Sequence, residues 1–251
     1  MVIASLCSAL ALAAVAQAGT PPRSALQGFA CHAALRPADR SVAIRAVMRP
    51  LPGTQSLQLR FQLLEQPAGS SSFTEVTGGR GLGVWLTPQN PTLGQRPGDI
   101  WELTKPVLDL AAPARYHFRV SFRWIGAHDR VLSTEVRTSA ACRQRELRPD
   151  LLVAGVAVSA ISGRPGAQRY TATIANRGLT AAGPFQVLFT PGDGSAAQTR
   201  TLRLGARASR REVFVGPVCN PASPPTVVAD SLDQVDDYDR DNNALTVTCP
   251  A

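Results

Sequence analysis

One stretch near the end of the chain gathers most of the acidic chemistry the sequence offers. Asp233 to Val247 reads DQVDDYDRDNNALTV, with five aspartates and two asparagines in eleven residues before the chain turns apolar. Carboxylates at this density could hold calcium, act as an acid–base pair, or organise a tight turn. Asp237-Tyr238-Asp239-Arg240-Asp241 has the D-x-D-x-D start of an EF-hand loop. That loop needs Gly at its sixth position and Glu at its twelfth; here these are Asn242 and Thr248. Asp237, Asp239 and Asp241 are therefore candidates only for a looser calcium site. A structural turn is favoured over a bound ion, because Asp and Asn side chains bond neighbouring backbone groups and accept left-handed φ. Acid–base catalysis is disfavoured, since paired carboxylates work across a cleft with separated pKa values, not along one solvated loop.

Other reactive residue types are dispersed. His32, His117 and His128 have no metal-ligand spacing. No G-x-S-x-G or H-E-x-x-H motif occurs. Gly78-Gly79-Arg80-Gly81-Leu82-Gly83 lacks the Lys and the strand-to-helix setting of a phosphate loop and reads as a β-loop. Trp124 lies on the apolar face of an alternating segment and is expected in a core. Trp85 and Trp101 flank a long Pro-rich connection and are the candidate contact residues, Trp being enriched at binding hot spots. No catalytic residue and no cofactor is expected.

The elements that must position these residues are strands. Ser56–Leu63 alternates polar and apolar, placing Leu57, Leu59, Phe61 and Leu63 on one face. Tyr116–Trp124 does the same with Tyr116, Phe118, Val120, Phe122 and Trp124, leaving His117, Arg119, Ser121 and Arg123 on a wet face. Arg130–Arg137 reads as the returning strand, and Ser41–Met48 and Gly83–Leu86 as weaker ones. After a polar boundary at 143–150, strands are expected at Leu151–Val158, Gln168–Asn176, Phe185–Thr190, Gln198–Leu204, Arg211–Val215, Thr226–Asp230 and Ala244–Thr248. Short strands at such intervals predict an all-β fold of two immunoglobulin-like antiparallel β-sandwiches in tandem, 19–147 and 148–251.

The chain has 251 residues with 20 Gly and 20 Pro. Its net charge is +8, and Lys105 is the only lysine. Residues 19–147 hold 16 basic and 9 acidic residues, and 148–251 hold 10 and 9. The arginines are scattered singly, a pattern of solvated surface that speaks against nucleic acid. Residues 1–18, MVIASLCSALALAAVAQA, are apolar and end in Ala-Gln-Ala, which predicts a secretory signal peptide cut before Gly19. No Lys or Arg precedes the apolar run, so the true start could lie upstream. Leu6 before Cys7 is a poor fit to a lipoprotein site, and no later stretch could span a membrane.

Cleavage would leave Cys31, Cys142, Cys219 and Cys249. An even number in an oxidising compartment suggests two disulfides. Of three possible pairings, position along the chain favours Cys31–Cys142 and Cys219–Cys249, one within each half. Zinc is excluded because no two cysteines have ligand spacing.

The second half resembles a known family. Arg148-Pro149-Asp150-Leu151-Leu152-Val153 opens it, Ile174-Ala175-Asn176-Arg177-Gly178 ends a strand in N-x-G, and Leu202-Arg203-Leu204-Gly205 precedes another strand. Val227-Val228-Ala229-Asp230 then leads through Asp236-Asp237 to Asn242-Asn243. This order resembles the bacterial CARDB domain, a cell-adhesion-related, immunoglobulin-like module of exported proteins. The family pattern E-x-x-E-x-N-N would place its first acid at Asp237 and its second at position 240, which here is Arg240. The first half resembles only immunoglobulin or fibronectin type III domains in general, through the Tyr116 strand. The resemblance implies a secreted, non-catalytic protein binding an unknown protein or glycan at the cell surface. The alternatives are an accessory module of an extracellular enzyme acting on polymers, and a calcium-stabilised structural surface protein.

Overall fold

The computed structural model describes residues 21–250, so the expected signal peptide at 1–18 lies outside the described residues. The first half comprises β1 (Ser24–His32), β2 (Ser41–Met48), β3 (Ser56–Pro67), β4 (Thr74–Glu75), β5 (Trp85–Leu86), β6 (Trp101–Leu108), β7 (Ala114–Ile125), β8 (Val131–Thr138) and β9 (Cys142–Gln144). One sheet has the order β1-β2-β6, the facing one β4-β3-β7-β8. β5 extends the β3 edge beside β4, and β9 pairs with the start of β7 beyond β8.

The alternating segments form the core sheet as expected. Leu57, Leu59, Phe61 and Leu63 lie opposite Trp124, Phe122, Val120 and Phe118, and all eight side chains are buried. The Phe61 and Phe118 rings meet edge-on at 6.4 Å. Val42, Ile44, Ala46 and Met48 of β2 close the cluster from the other sheet. The Tyr116 hydroxyl lies 2.8 Å from Glu65 Oε1 and 3.0 Å from Ala111 O, two acceptors for its one proton; the approach to Ala111 is the corner that pins the penultimate strand of immunoglobulin-like sandwiches.

The second half comprises β10 (Leu151–Ala160), β11 (Ala167–Asn176), β12 (Ala182–Thr190), β13 (Gln198–Leu204), β14 (Ser209–Pro217), β15 (Thr226–Ala229) and β16 (Ala244–Thr246). Its sheets run β10-β11-β14 and β13-β12-β15-β16. Phe189 stacks on Phe214 at 5.1 Å and tilts against Tyr170 at 4.9 Å in its core. Both halves thus share one plan: the first, second and fifth main strands oppose the third, fourth, sixth and seventh.

Two strands of the first sheet escape the sequence reading for physical reasons. β1 carries a register shift between Gln27 and Ala30, around Gly28 at φ 57°, so its apolar residues do not alternate. β6 contains Pro106, which is tolerated because β6 is an edge strand. The expected strand at Gly83–Leu86 shortens to Trp85–Leu86, because Gly83 turns at φ 73°.

The disulfides Cys31–Cys142 and Cys219–Cys249 both form. The first ties β1 of one sheet to β9 of the other. The second ties the segment after β14 to the end of the chain beyond β16.

Candidate functional site

The acid-rich stretch is a wrapped loop between β15 and β16, in which the carboxylates of Asp233, Asp236, Asp237 and Asp239 each take up a bond and Asp241 is exposed. Asp230, 3 % exposed, accepts from Gln234 N at 2.8 Å and Val235 N at 2.9 Å. Asp237, 5 % exposed, accepts from Leu151 N at 3.1 Å, Asn243 Nδ2 at 3.0 Å and Asp239 N at 3.2 Å. Burial pushes the Asp237 pKa above its ordinary value; these three donors oppose the shift, and the nearby Asp150 adds to it. Asp239 caps a single 3-10 turn (Arg240–Asn242) by accepting from Asp241 N, and takes a second bond from Asn242 Nδ2 at 3.1 Å. Arg240, at the position of the family's second acid, reaches back to the Asp233 carboxylate and to Val235 O at 2.8 Å.

Among the described residues no three His, Cys, Asp or Glu side chains gather as metal ligands. Asn242 Oδ1 and Asn243 Oδ1 are the buried acceptors here that lack a donor. Thermal melts in calcium and in EDTA should therefore coincide. A rise of several degrees in calcium would assign an ion to Asp237, Asp239 and Asp241 and overturn the turn reading.

The same loop holds the start of the second half. Tyr238 N donates to Pro149 O at 2.9 Å, Asn242 Nδ2 to Asp150 Oδ1 at 3.0 Å, and Leu151 N to Asp237. From the other side, Asn176 of the N-x-G motif accepts from Asp150 N at 3.2 Å and Gly178 N at 2.9 Å. Its Nδ2 donates to Thr180 O at 2.8 Å and Gly205 O at 3.1 Å. Gly178 is required by space: a Cβ there would lie 2.3 Å from Arg148 O and 2.6 Å from Pro149 Cα, both backbone.

An ion chain, buried at Arg40 and exposed at Asp236, then joins this junction to the first half. Arg40 is 1 % exposed; its Nε donates to Ala34 O at 2.9 Å and its Nη2 to Leu35 O and to both Glu146 oxygens at 3.1 Å. Glu146 accepts in turn from Arg148 N and Nε, each at 3.0 Å. Arg148 continues to Asp236 at 3.3 Å, its guanidinium carbon 5.5 Å from the Tyr238 ring centroid. Burial would raise the Glu146 pKa, but the Arg148 hydrogen bonds and the charges of Arg40 and Arg148 outweigh it and hold the carboxyl below its ordinary value. The segment read as a polar boundary is thus bonded from both sides. Arg40 and Glu146 were not singled out by sequence, and their 106-residue separation gives no local signal.

Trp85 and Trp101 part company. Trp85 is half-buried on the outer face of the four-stranded sheet, with the Arg123 guanidinium carbon 3.9 Å from its ring centroid, a cation–π contact. Arg60 lies opposite Trp85 and opposite Ser121, and Ser121 opposite the exposed Val136. With Gln58, Gln62 and Arg119 these share the outer, largely polar face of the sheet, which also carries His117. Trp101, the first residue of β6, packs in the core at 7 % exposure, which leaves little of it to meet a ligand. Trp124 is buried as expected, donating from Nε1 to Arg49 O at 2.7 Å. His117 sits against Phe73 at 4.4 Å between ring centroids, and burial lowers its pKa.

Fold and site define a protein of two tandem immunoglobulin-like sandwiches. Residues 148–247 match the CARDB family, so the C-terminal half carries a CARDB domain. Comparison with curated proteins returns no match. Among solved structures, the FN1–FN3 domains of chicken CNTN1 are similar at 15 % identity and a TM-score of 0.32, over 82 % of this chain and 60 % of that one. The chain thus spans 60 % of the length of that relative. A chaperone–tip adhesin complex of CFA/I fimbriae is similar at 11 % identity and a TM-score of 0.25, over 84 % of this chain and 93 % of that one. The class 5 fimbriae chaperone CfaA is similar at 11 % identity and a TM-score of 0.27, over 89 % of this chain and all 100 % of its own.

Proposed function

We propose that the protein is an exported, non-catalytic bacterial binding module that engages a protein or glycan at the cell surface. The CARDB match over residues 148–247 carries this reading. Two disulfides support an oxidising compartment, and among the described residues no helix is long and apolar enough to cross a membrane. The groups with shifted pKa values also fit a binding role. Asp237, Glu146 and Tyr116 are each locked into structural hydrogen bonds. Their oxygens bond backbone groups, Arg40 and Arg148, Asn243 and, for Tyr116, the Glu65 carboxylate.

Purified protein should be retained by envelope material of the producing organism, or should bind reproducibly on a glycan array. Replacing Trp85 with Ala should weaken that retention if this outer sheet face takes part. Turnover of any polymer by the purified chain would defeat the reading in favour of an enzyme.

A further inference from the structure

We propose that the open seam of the first sandwich binds a single-headed anionic amphiphile, its acidic group on Lys105 and its apolar body along the seam. This goes beyond the surface-binding reading and does not depend on it. The seam lies between β6, an edge strand of one sheet, and β5, on the β3 edge of the other. β5 is two residues long, and the chain then leaves on the long connection to β6. The two sheets leave a cavity of about 810 Å³ here, within the range of small-ligand sites.

Alternation along the strands decides what faces it. In β6, Trp101, Leu103 and Lys105 lie on the core side, while Glu102 and Thr104 are exposed on the other. Leu86 of β5 stands opposite the buried Leu59 and shares its side. Leu86, Leu93 and Leu103 line the cavity half-buried and pack against the first core. The wall is thus a part of that core left open.

Lys105 breaks the pattern. It is the only lysine of the chain, and it takes a core-side position between Leu103 and Val107. A lysine on apolar surface ordinarily sends its ammonium out to water. Here the ammonium turns to the glycine-rich stretch instead and donates to Arg80 O. Gly81 makes room for it: a Cβ there would lie 2.9 Å from Lys105 Nζ. Arg80 and Gly81 line the cavity beside it. Among the described residues neither Lys105 nor Arg80 forms an ion pair. Glu102 also lines the cavity, but its carboxylate is paired with Arg45 at 3.4 Å. Burial, and after it the Arg80 charge, lower the Lys105 pKa, as expected of a cation short of an anion. An ammonium has three donors, so a carboxylate or sulfate can join Arg80 O on it.

The body of the ligand is read from the wall. Trp101 lies four residues from Lys105 along β6, about 13 Å of strand, and the core-side residue between them is Leu103. A peptide lying there would need partners for its backbone groups. Asn90, at the cavity, has its Oδ1 taken by Thr92 N and Oγ1. An alkyl chain needs no such partner and gains by covering the leucines.

Titration calorimetry of the purified full chain tests this with five probes: decanoate, decyl sulfate, decyltrimethylammonium, acetate and N-acetyl-trileucine. Decanoate, decyl sulfate or both should saturate at one per chain, which also tells a carboxylate head from a sulfate. The other three should bind at least roughly tenfold more weakly, because each lacks the anion, the alkyl chain or both in one molecule. Lys105→Met should weaken the anionic amphiphile by roughly tenfold, with an unchanged or higher Tm because a cation leaves a core-side position. Lys105→Glu should reverse the preference toward decyltrimethylammonium, a result that a merely structural lysine would not give. Four results would each overturn the site: no saturable binding of either anionic amphiphile, equal binding of the cationic one, tighter binding of the peptide, or affinity unchanged in Lys105→Met. Uptake of many amphiphiles per chain with a falling Tm is surfactant unfolding and also counts against it. Retention of envelope material is a separate readout, and it should survive in Lys105→Met.

Discussion

Replacing Glu146 with Gln should lower the Tm by roughly 10 °C, a loss of about 3 kcal/mol. Arg40 is the reason. Its side chain is 2 % exposed and Glu146, its one carboxylate partner among the described residues, is 10 % exposed. Removing one member of a buried pair leaves the other charge without compensation, which costs far more than the pair contributes. Arg40→Met combined with Glu146→Gln should therefore recover at least half of the loss, a non-additivity expected of groups in direct contact. Strictly additive losses would sink the idea that Arg40 depends on Glu146. The pH dependence has a definite sign. A carboxyl held below its ordinary value of 4.5 stabilises above that value, and the stabilisation drains away as the pH falls through the lowered pKa. Wild type should lose stability over this acid range, and Glu146→Gln should lose less.

Removing the Cys31–Cys142 disulfide by paired alanine replacement should cost about 5 kcal/mol, against about 3.5 kcal/mol for Cys219–Cys249. The difference follows from chain separation, 111 residues against 30, because a longer closed loop removes more freedom from the unfolded chain. Burial does not separate the pairs as cleanly: Cys142 is fully buried in the first core but Cys31 is exposed, and Cys219 and Cys249 are half-buried at the margin of the second. Urea unfolding of the two double variants measures both. Equal midpoints, or a larger loss from Cys219 and Cys249, would refute the ordering.

The strands most legible in the sequence are those whose pattern is enforced on both sides. β3 and β7 sit in the middle of a sheet and face a core, so every second residue is large and apolar, and two-residue periodicity finds them. β1 and β6 lie at the edges of the other sheet, where a bulge and Pro106 are tolerated and the periodicity breaks. The acid-rich loop was half legible. Its failure as an EF-hand and the odd residue Arg240 could be read from position alone. That Asp237 reaches Leu151, 86 residues earlier, could not. The cysteine pairing followed from position along the chain, because each half closes on itself before the next begins. Trp101 shows the opposite limit: a position flanking a Pro-rich connection does not say which way the ring faces, while its place at the head of β6 decided burial.

The junction at Arg145–Asp150 has a consequence for any ligand that repeats. Hydrogen bonds from the acid-rich loop and from Asn176, together with the Arg40–Glu146–Arg148 chain, hold the segment on both sides. Two surfaces on the two halves then stand at a fixed distance, as marks on a ruler. A polymer whose repeat matches that distance meets the second surface at high effective concentration, and one out of step gains nothing from it. Loosening the junction would trade this selection by spacing for tolerance of any spacing.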